Sequence, residues 1–422
     1  MILSNISVPL LGMVDTGVTG HLDSPTYLGA VAIGSTIFGF LYTGMNFLRM
    51  GTTGIAAQRF GANDNDGLRV ALGQAIIVAV LTGLVLLALQ IPIGVWAIPL
   101  FGAEIDVETS ALVYFSIRIW SAPGTLANYV LIGWFLGLQN ARVPLLIFLT
   151  INITNIVLDL VFVIGLGMQV DGVALASVIA EYSGLLVGLG FAVHALRNRD
   201  GHWPLARLFN ARAYSAFFAI NSHLFIRTMA LMFTFAFVTA QGARLGPLVL
   251  AANAVLMNLQ HLTAFGLDGI AHAAEALVGK AVGQGRRDIL ERSVSLSLKW
   301  SLYFALGFCV AYALLGAPLV RLLTDLPLVR ETALTYLPWL VISPAISVWS
   351  FLYDGVYVGA TQARAMRNIM VFSTVLVFVP AWFVLQGLGN HGLWLAFTLF
   401  MASRGVGMHI GYRRRVLPAL AQ

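Results

Sequence analysis

Residues Gly137 to Arg142 read GLQNAR, and 222 positions later Gly359 to Arg364 read GATQAR. The same offset carries Tyr114 onto Tyr336, Gly61 onto Gly283, and the turn Gly165-Leu166-Gly167 onto Gly387-Leu388-Gly389. A register kept from one end of each half to the other marks an internal duplication, so the chain folds as two copies of one unit. Each copy is apolar almost throughout. The unit is therefore read as a membrane bundle, with a site expected between the copies.

Of the 422 residues, 59% are hydrophobic and 10% charged, where a soluble domain carries about 25% charged residues. A spanning helix needs about 20 apolar residues. The apolar stretches of the first half cover 1–22, 29–58, 70–98, 110–137, 143–166 and 172–197. Those of the second cover 212–240, 247–281, 291–317, 331–358, 365–387 and 392–412. The expected fold is an all-α integral membrane protein with about twelve transmembrane helices in two pseudo-symmetric six-helix lobes. Six spans per copy is an even number, so both copies enter the membrane in the same direction and the symmetry axis lies along its normal. The lobes are residues 1–199 and 212–422. Residues 200–211 form a cytoplasmic linker, expected to flex and to tolerate change.

Pro144 and Pro247 stand near helix starts, where the missing amide is not needed. Pro9, Pro123, Pro344 and Pro380 lie inside spans and should kink them. The single cysteine, Cys309, lies in an apolar span and can form no internal disulfide. No charged n-region or A-x-A-like cleavage site opens the chain, and its first span is already under way at Met1, where a longer natural N-terminus is expected.

With the N-terminus inside, most of the basic residues fall in short cytoplasmic loops, among them Arg59, Arg69, Arg142, Arg197, Arg199, Lys280, Arg286, Arg287, Arg364 and Arg413 to Arg415. The opposite side keeps Arg244, Arg321 and Arg330 with acidic Asp23, Glu104, Asp106, Glu108 and Asp171. This asymmetry places both termini in the cytoplasm of a multi-pass protein of the bacterial inner membrane. It also accounts for the net charge of +6 through anionic lipid, with no nucleic-acid partner. The histidines show no metal-ligand spacing, so no metal is expected. There is no P-loop, no Gly-x-Ser-x-Gly elbow and no HExxH helix, so neither ATP hydrolysis nor an intramembrane enzyme is indicated.

The informative residues are the ionisable ones inside the spans, each costing about 2.5–3.5 kcal/mol at a helix centre on insertion scales. Asp15 lies in PLLGMVDTGVTGHL. Asn155 and Asp159 lie four apart in the fifth span and share a helix face. Ser177 follows one helix later, with Glu181 one turn beyond it. These oxygens can hold a proton or coordinate a hard cation; the alternative is a hydrogen-bonded cluster that only joins helices. At the 222-residue offset Asp159 falls on Ala381 and Asn155 on Val377, so scaffold symmetry does not require them. The second half has Asp268 and Glu275, seven apart, and Asp354 before GVYVGAT. Arg49, Arg118, Arg227 and Arg404 are also intramembrane, and pairing of these arginines with acids across helices is expected.

NISVPLLGMVDTGVTGHL, FLRMGTTGIAAQRFGAND, IRIWSAPGTLANYVLIGWFLGLQNAR, LDGIAHAAEALVGKAVGQG and DGVYVGATQARAMRN together resemble the multidrug and toxic compound extrusion (MATE) family, within it the DinF-like branch. The resemblance covers nearly the whole chain. It implies twelve helices in two lobes about a central cavity, acting as a monomer. It also implies export of organic cations or other amphipathic small molecules in exchange for protons, or less readily sodium, with no other cofactor. Carried onto this sequence, the coupling carboxylate is Asp15, Asn155 and Asp159 belong to the same site, and Ser177 stands where the family often has threonine. Glu181, Asp268, Glu275, Asp354, Arg49, Arg118 and Arg227 are secondary candidates. The rival reading is a flippase for lipid or lipid-linked sugar, whose groove would use Arg49, Arg118 and Arg227. A major facilitator carrier would show a charged G-x-x-x-D-R-x-G-R loop where this chain has RFGANDNDGLR.

Overall fold

The computed structural model describes residues 24–418. The span expected at 1–22, with Pro9 and Asp15, lies outside the described residues. Those described form helices and turns, with no strand among them. In order they are α1 (Pro25–Met45), α2 (Phe47–Gly61), α3 (Asn65–Ala88), α4 (Gln90–Ala97), α5 (Ile105–Arg118), α6 (Ala122–Gly137), α7 (Arg142–Asp159) and α8 (Val170–Arg197). After the short α9 (Leu205–Leu208) come α10 (Ala211–Arg244), α11 (Pro247–Gly283), α12 (Arg287–Leu323), α13 (Pro327–Gly359), α14 (Ala363–Phe372), α15 (Val379–Leu385) and α16 (Asn390–Gly411). Ten helical segments among the described residues are long and apolar enough to cross a membrane.

The expected fourth span, 110–137, is not one of those ten, and the reason is Pro123. Without an amide hydrogen it cannot donate to the carbonyl of Ile119. That carbonyl takes the amide of Ala122 instead, a 3₁₀ turn at Ile119–Ser121 that separates α5 from α6. Pro380 is handled differently. A π turn at Ser373–Phe378 precedes it, closed by the Val379 amide on the carbonyl of Thr374, and the helix runs on into α15. Pro344 lies inside the uninterrupted α13.

The duplication is visible in backbone geometry. Helices begin at Pro25 and Pro247 and at Asn65 and Arg287, and end at Gly61 and Gly283 and at Gly137 and Gly359, all 222 apart. Left-handed residues keep the same register: Asn63 (φ 53°) with Gly285 (66°), Gln139 (60°) with Thr361 (52°), and Gly167 (68°) with Gly389 (58°). The GLQNAR and GATQAR segments are thus matching helix ends. In each, the residue after the left-handed position returns its amide to a carbonyl five residues back, Asn140 to Phe135 and Gln362 to Tyr357, both at 2.9 Å.

The helix seams repeat as well. A Cβ on Gly133 would strike the carbonyl oxygen of Arg49, and one on Gly355 the carbonyl oxygen of Ala271. One turn on, Gly137 lies against Thr53 and Ala57, and Gly359 against Glu275 and Gly279. Each pair is a Gly-x-x-x-Gly stripe, letting α6 meet α2 and α13 meet α11 at backbone contact. Lipid supplies no hydrophobic drive between helices, so such packing holds the bundle.

The chain divides into two compact units, one ending at Phe217 and the other beginning at Phe218. Around Phe38, Tyr114, Phe115 and Trp134 lies the core of the first. Phe378, Trp394, Phe397 and Phe400 centre that of the second. Residues 198–208 are tied to the first unit. Arg69, buried on α3, donates to the carbonyls of Asn65, Leu196, Arg199 and Asp200 at 2.8–3.2 Å. Asp66 accepts the His202 amide at 2.7 Å, and Gln74 reaches the carbonyls of Arg207 and Leu208. Burial first, and then the adjacent Arg69 charge, lower the pKa of the Arg199 guanidinium, which lies 5.1 Å over the Phe60 ring. Most of the expected loose linker is therefore a docked strap, because a guanidinium has five donors to spend on carbonyls.

Candidate functional site

Asn155 and Asp159 lie on α7 and Ser177 on the facing α8. Neither Asn155 nor Asp159 has exposed surface, and Ser177 is 4% exposed. Asn155 Nδ2 donates to Ser177 Oγ at 3.4 Å, joining the two helices. Asp159 is the last residue of α7 before a π turn at Leu160–Gly165. A π turn inserts a residue into the helix and turns the following side chains to a new direction, which is why such turns recur at functional sites. Asn155 and Ser177 are joined across the two helices, and Asp159, also buried, lies one turn along α7 from Asn155. Asp15, expected beside them, lies outside the described residues.

A second polar group in the same unit surrounds Glu181. Asn128, 1% exposed on α6, donates from Nδ2 to both the carbonyl oxygen and Oε2 of Glu181, each at 2.9 Å. Tyr42 and Ser121 share a hydrogen bond of 2.9 Å nearby. Tyr42, Tyr129 and Arg118 all lie within electrostatic reach of Glu181. Arg118 itself donates to Tyr114 Oη and stands 5.4 Å over the rings of Phe38 and Tyr114. Arg49 Nε donates to Asn46 at 3.0 Å. Sequence reasoning listed Glu181 but missed Asn128, a lone asparagine in an apolar run whose only signal was its own polarity.

In the second unit the structure joins Asp354 on α13 to two arginines. Arg227 of α10 and Arg404 of α16 both donate to Asp354 Oδ2, the latter at 2.9 Å. Arg404 is 1% exposed, and Asp268 is also within its electrostatic reach. Glu275 is buried on α11, with its backbone carbonyl against Gly359. The three arginines that a headgroup groove would need are thus turned to internal partners: Arg227 to Asp354, Arg118 to Tyr114 and Arg49 to Asn46. Among the described residues no group of three or more His, Cys, Asp or Glu comes together.

The sequence model of a family described as MatE matches residues 1–161 and 224–383. The chain is 43% identical over 414 residues to DNA damage-inducible protein F of Escherichia coli (strain K12), covering 98% of this chain and 90% of that protein. It is 25% identical over 336 residues to the probable multidrug resistance protein NorM of Thermotoga maritima, covering 78% and 71% respectively. Among solved structures, one described as MATE in the bent conformation superposes with a TM-score of 0.89 at 19% identity, over 100% of this chain and 94% of that one. Another, an outward-facing multidrug resistance MATE family transporter of the MOP superfamily, gives 0.88 at 19% identity over the same shares. At that identity the likeness speaks for the fold.

Proposed function

The chain belongs to the MatE family, and we propose that it is a proton-coupled antiporter that exports organic cations or amphipathic compounds by alternating access. It is a multi-pass membrane transporter and not an enzyme. The moving parts are two six-helix lobes, residues 1–199 and 212–422, joined by the cytoplasmic linker 200–211. It acts as a monomer in the bacterial inner membrane with both termini in the cytoplasm.

The observation that supports this reading is the buried Asn155–Ser177 contact, with buried Asp159 one turn further along α7. A carboxylic acid supported by neutral oxygen and nitrogen groups can take up and release a proton. Asp15 supplies the second carboxyl, and two nearby acids share their titration as a pair. Protonation from outside removes the negative charge that holds a cation; release toward the cytoplasm restores it. The flows couple because proton and cation favour different states of one equilibrium. Sodium would occupy the same oxygens.

The test is reconstitution into liposomes with an imposed proton or sodium gradient and a fluorescent organic cation. A proton gradient alone should drive uptake into inside-out vesicles. Asp15→Asn and Asp159→Asn should each abolish that uptake while leaving expression near normal, since the amide imitates the protonated acid. If Asp15→Asn transports at the normal rate under a proton gradient, coupling resides elsewhere and Glu275 or Asp354 becomes the candidate. If sodium alone drives uptake, the coupling ion is sodium.

A further inference from the structure

Asn128 carries a buried polar atom without a partner. Both hydrogens of its Nδ2 are spent, one on the carbonyl of Glu181 and one on Oε2 of the same residue. The backbone carbonyl can only accept, so it fixes which end of the amide faces Glu181. Oδ1 is therefore the free end, and among the described residues nothing donates to it. A buried amide oxygen left unmet is costly, so its persistence calls for a donor in some state of the protein.

Glu181 can be that donor. Its carboxylate lies within a membrane span, and among the described residues it makes no ion pair. The charged and titratable groups around it come from each helix packed on α8. Tyr42 arrives from α1, Arg118 from α5 and Tyr129 from α6, while α7 brings Asp159 and Asn155 toward Ser177, one turn before Glu181. Arg118 is held on Tyr114 and Phe38. What touches the carboxyl is neutral: the amide of Asn128 and the hydroxyl of Thr125.

We propose that Glu181 is a further proton-binding residue of the transport cycle, distinct from the Asn155–Asp159–Ser177 site, with Asn128 as its positioning residue. The proposal rests on the antiporter reading above. Oε2 already accepts from Nδ2. A proton added to Oε1 can be given to Asn128 Oδ1, converting a one-way contact into a two-way acid–amide pair that meets every polar atom of the asparagine. Losing that proton returns a carboxylate that adds to the attraction for a cation. The bookkeeping is one proton bound and one released per cycle, with no other bond changed.

Two measurements test it. Infrared difference spectra of the protein in lipid, acidic minus neutral buffer, should contain a protonated-carboxyl band that Glu181→Gln removes. Asn128→Ala should move that band to higher frequency, because the acid carbonyl loses its donor; a side chain that only packs would leave no such trace. In the liposome assay the limiting accumulation of the cation should fall by about tenfold per pH unit of gradient in Glu181→Gln, since one proton fewer drives each exchange. Glu181→Asp keeps the acid and should keep much of the pH dependence. A Glu181→Gln spectrum with the full carboxyl band, or unchanged limiting accumulation, overturns the proposal. Wild-type protein that shows the band yet moves no cation under any gradient would instead overturn the antiporter reading and leave proton binding at Glu181 standing.

Discussion

Asp354 is the residue whose replacement separates a structural charge from a coupling one. Its carboxylate is shared by Arg227 and Arg404, whose side chains are 10% and 1% exposed. Replacing it by asparagine preserves shape and removes the single anion between two guanidinium groups. Breaking a buried pair from one side costs about 3–5 kcal/mol, because the remaining charge has no solvent to return to. Here two like charges remain, partly offset by Asp268 near Arg404, so Asp354→Asn belongs in the upper part of that range. That is about two to four decades in the folded-to-unfolded ratio. Arg227→Met should cost much less, since Asp354 and Arg404 stay paired. The double variant Asp354→Asn with Arg227→Met should recover part of the loss, which is the signature of a direct interaction.

Unfolding of a detergent-solubilised transporter is irreversible in practice, so the measured quantity is the rate of loss of monodisperse protein at fixed temperature. Expected is the order Asp354→Asn fastest, the double variant intermediate, Arg227→Met close to wild type. One result would refute this: an Asp354→Asn protein as durable as wild type that has lost gradient-driven transport. The acid would then be a carrier of the coupling ion and the arginines its regulators.

The remaining predictions concern packing. Gly133→Val and Gly355→Val should each destabilise by about 1–3 kcal/mol, because a side chain there meets a facing backbone carbonyl that cannot move alone. Gly39→Ala and Gly307→Ala, where a Cβ meets nothing within 4 Å, are the controls and should melt like wild type. Arg69→Met should free the strap at 198–204, read as faster tryptic cleavage after Arg197 or Arg199 with helix content unchanged in circular dichroism; unchanged cleavage would show that Asp66 and Gln74 suffice to hold it.

What the sequence made legible is what duplication copies. The GLQNAR and GATQAR ends, the paired glycines and the Gly-Leu-Gly turns are backbone requirements: a left-handed residue, or a helix face with no side chain in the way. Few residue types satisfy these, so the letters persist in both halves and can be read. The break before α6 was half legible. Pro123 announced a disturbance, but only the bond from the Ala122 amide to Ile119 decides that the outcome is a 3₁₀ turn and not a bend. Arg69 was legible only as a cytoplasmic charge, because its four carbonyl partners are main-chain atoms that leave no mark in composition. Asn128 was hidden for a related reason: one amide in an apolar run has no period, and its meaning depends on Glu181, 53 residues away.

The two halves share a skeleton and differ in where they keep protonatable groups. At the offset that superposes turns and seams, Asp159 meets Ala381, Glu181 meets Ser403 and Asn128 meets Ser350; in the other direction Asp354 meets Ile132 and Arg404 meets Tyr182. None of these chemistries is repeated, so the shared skeleton does not require them in both halves. The partners then sort the acids by what each can do. A carboxylate gripped by two guanidinium groups serves as a fixed pin between α10, α13 and α16. One held by an amide with an oxygen still to satisfy can change charge, and the same amide accommodates both forms. The pin lies in the second unit, and the acids proposed to exchange protons lie in the first.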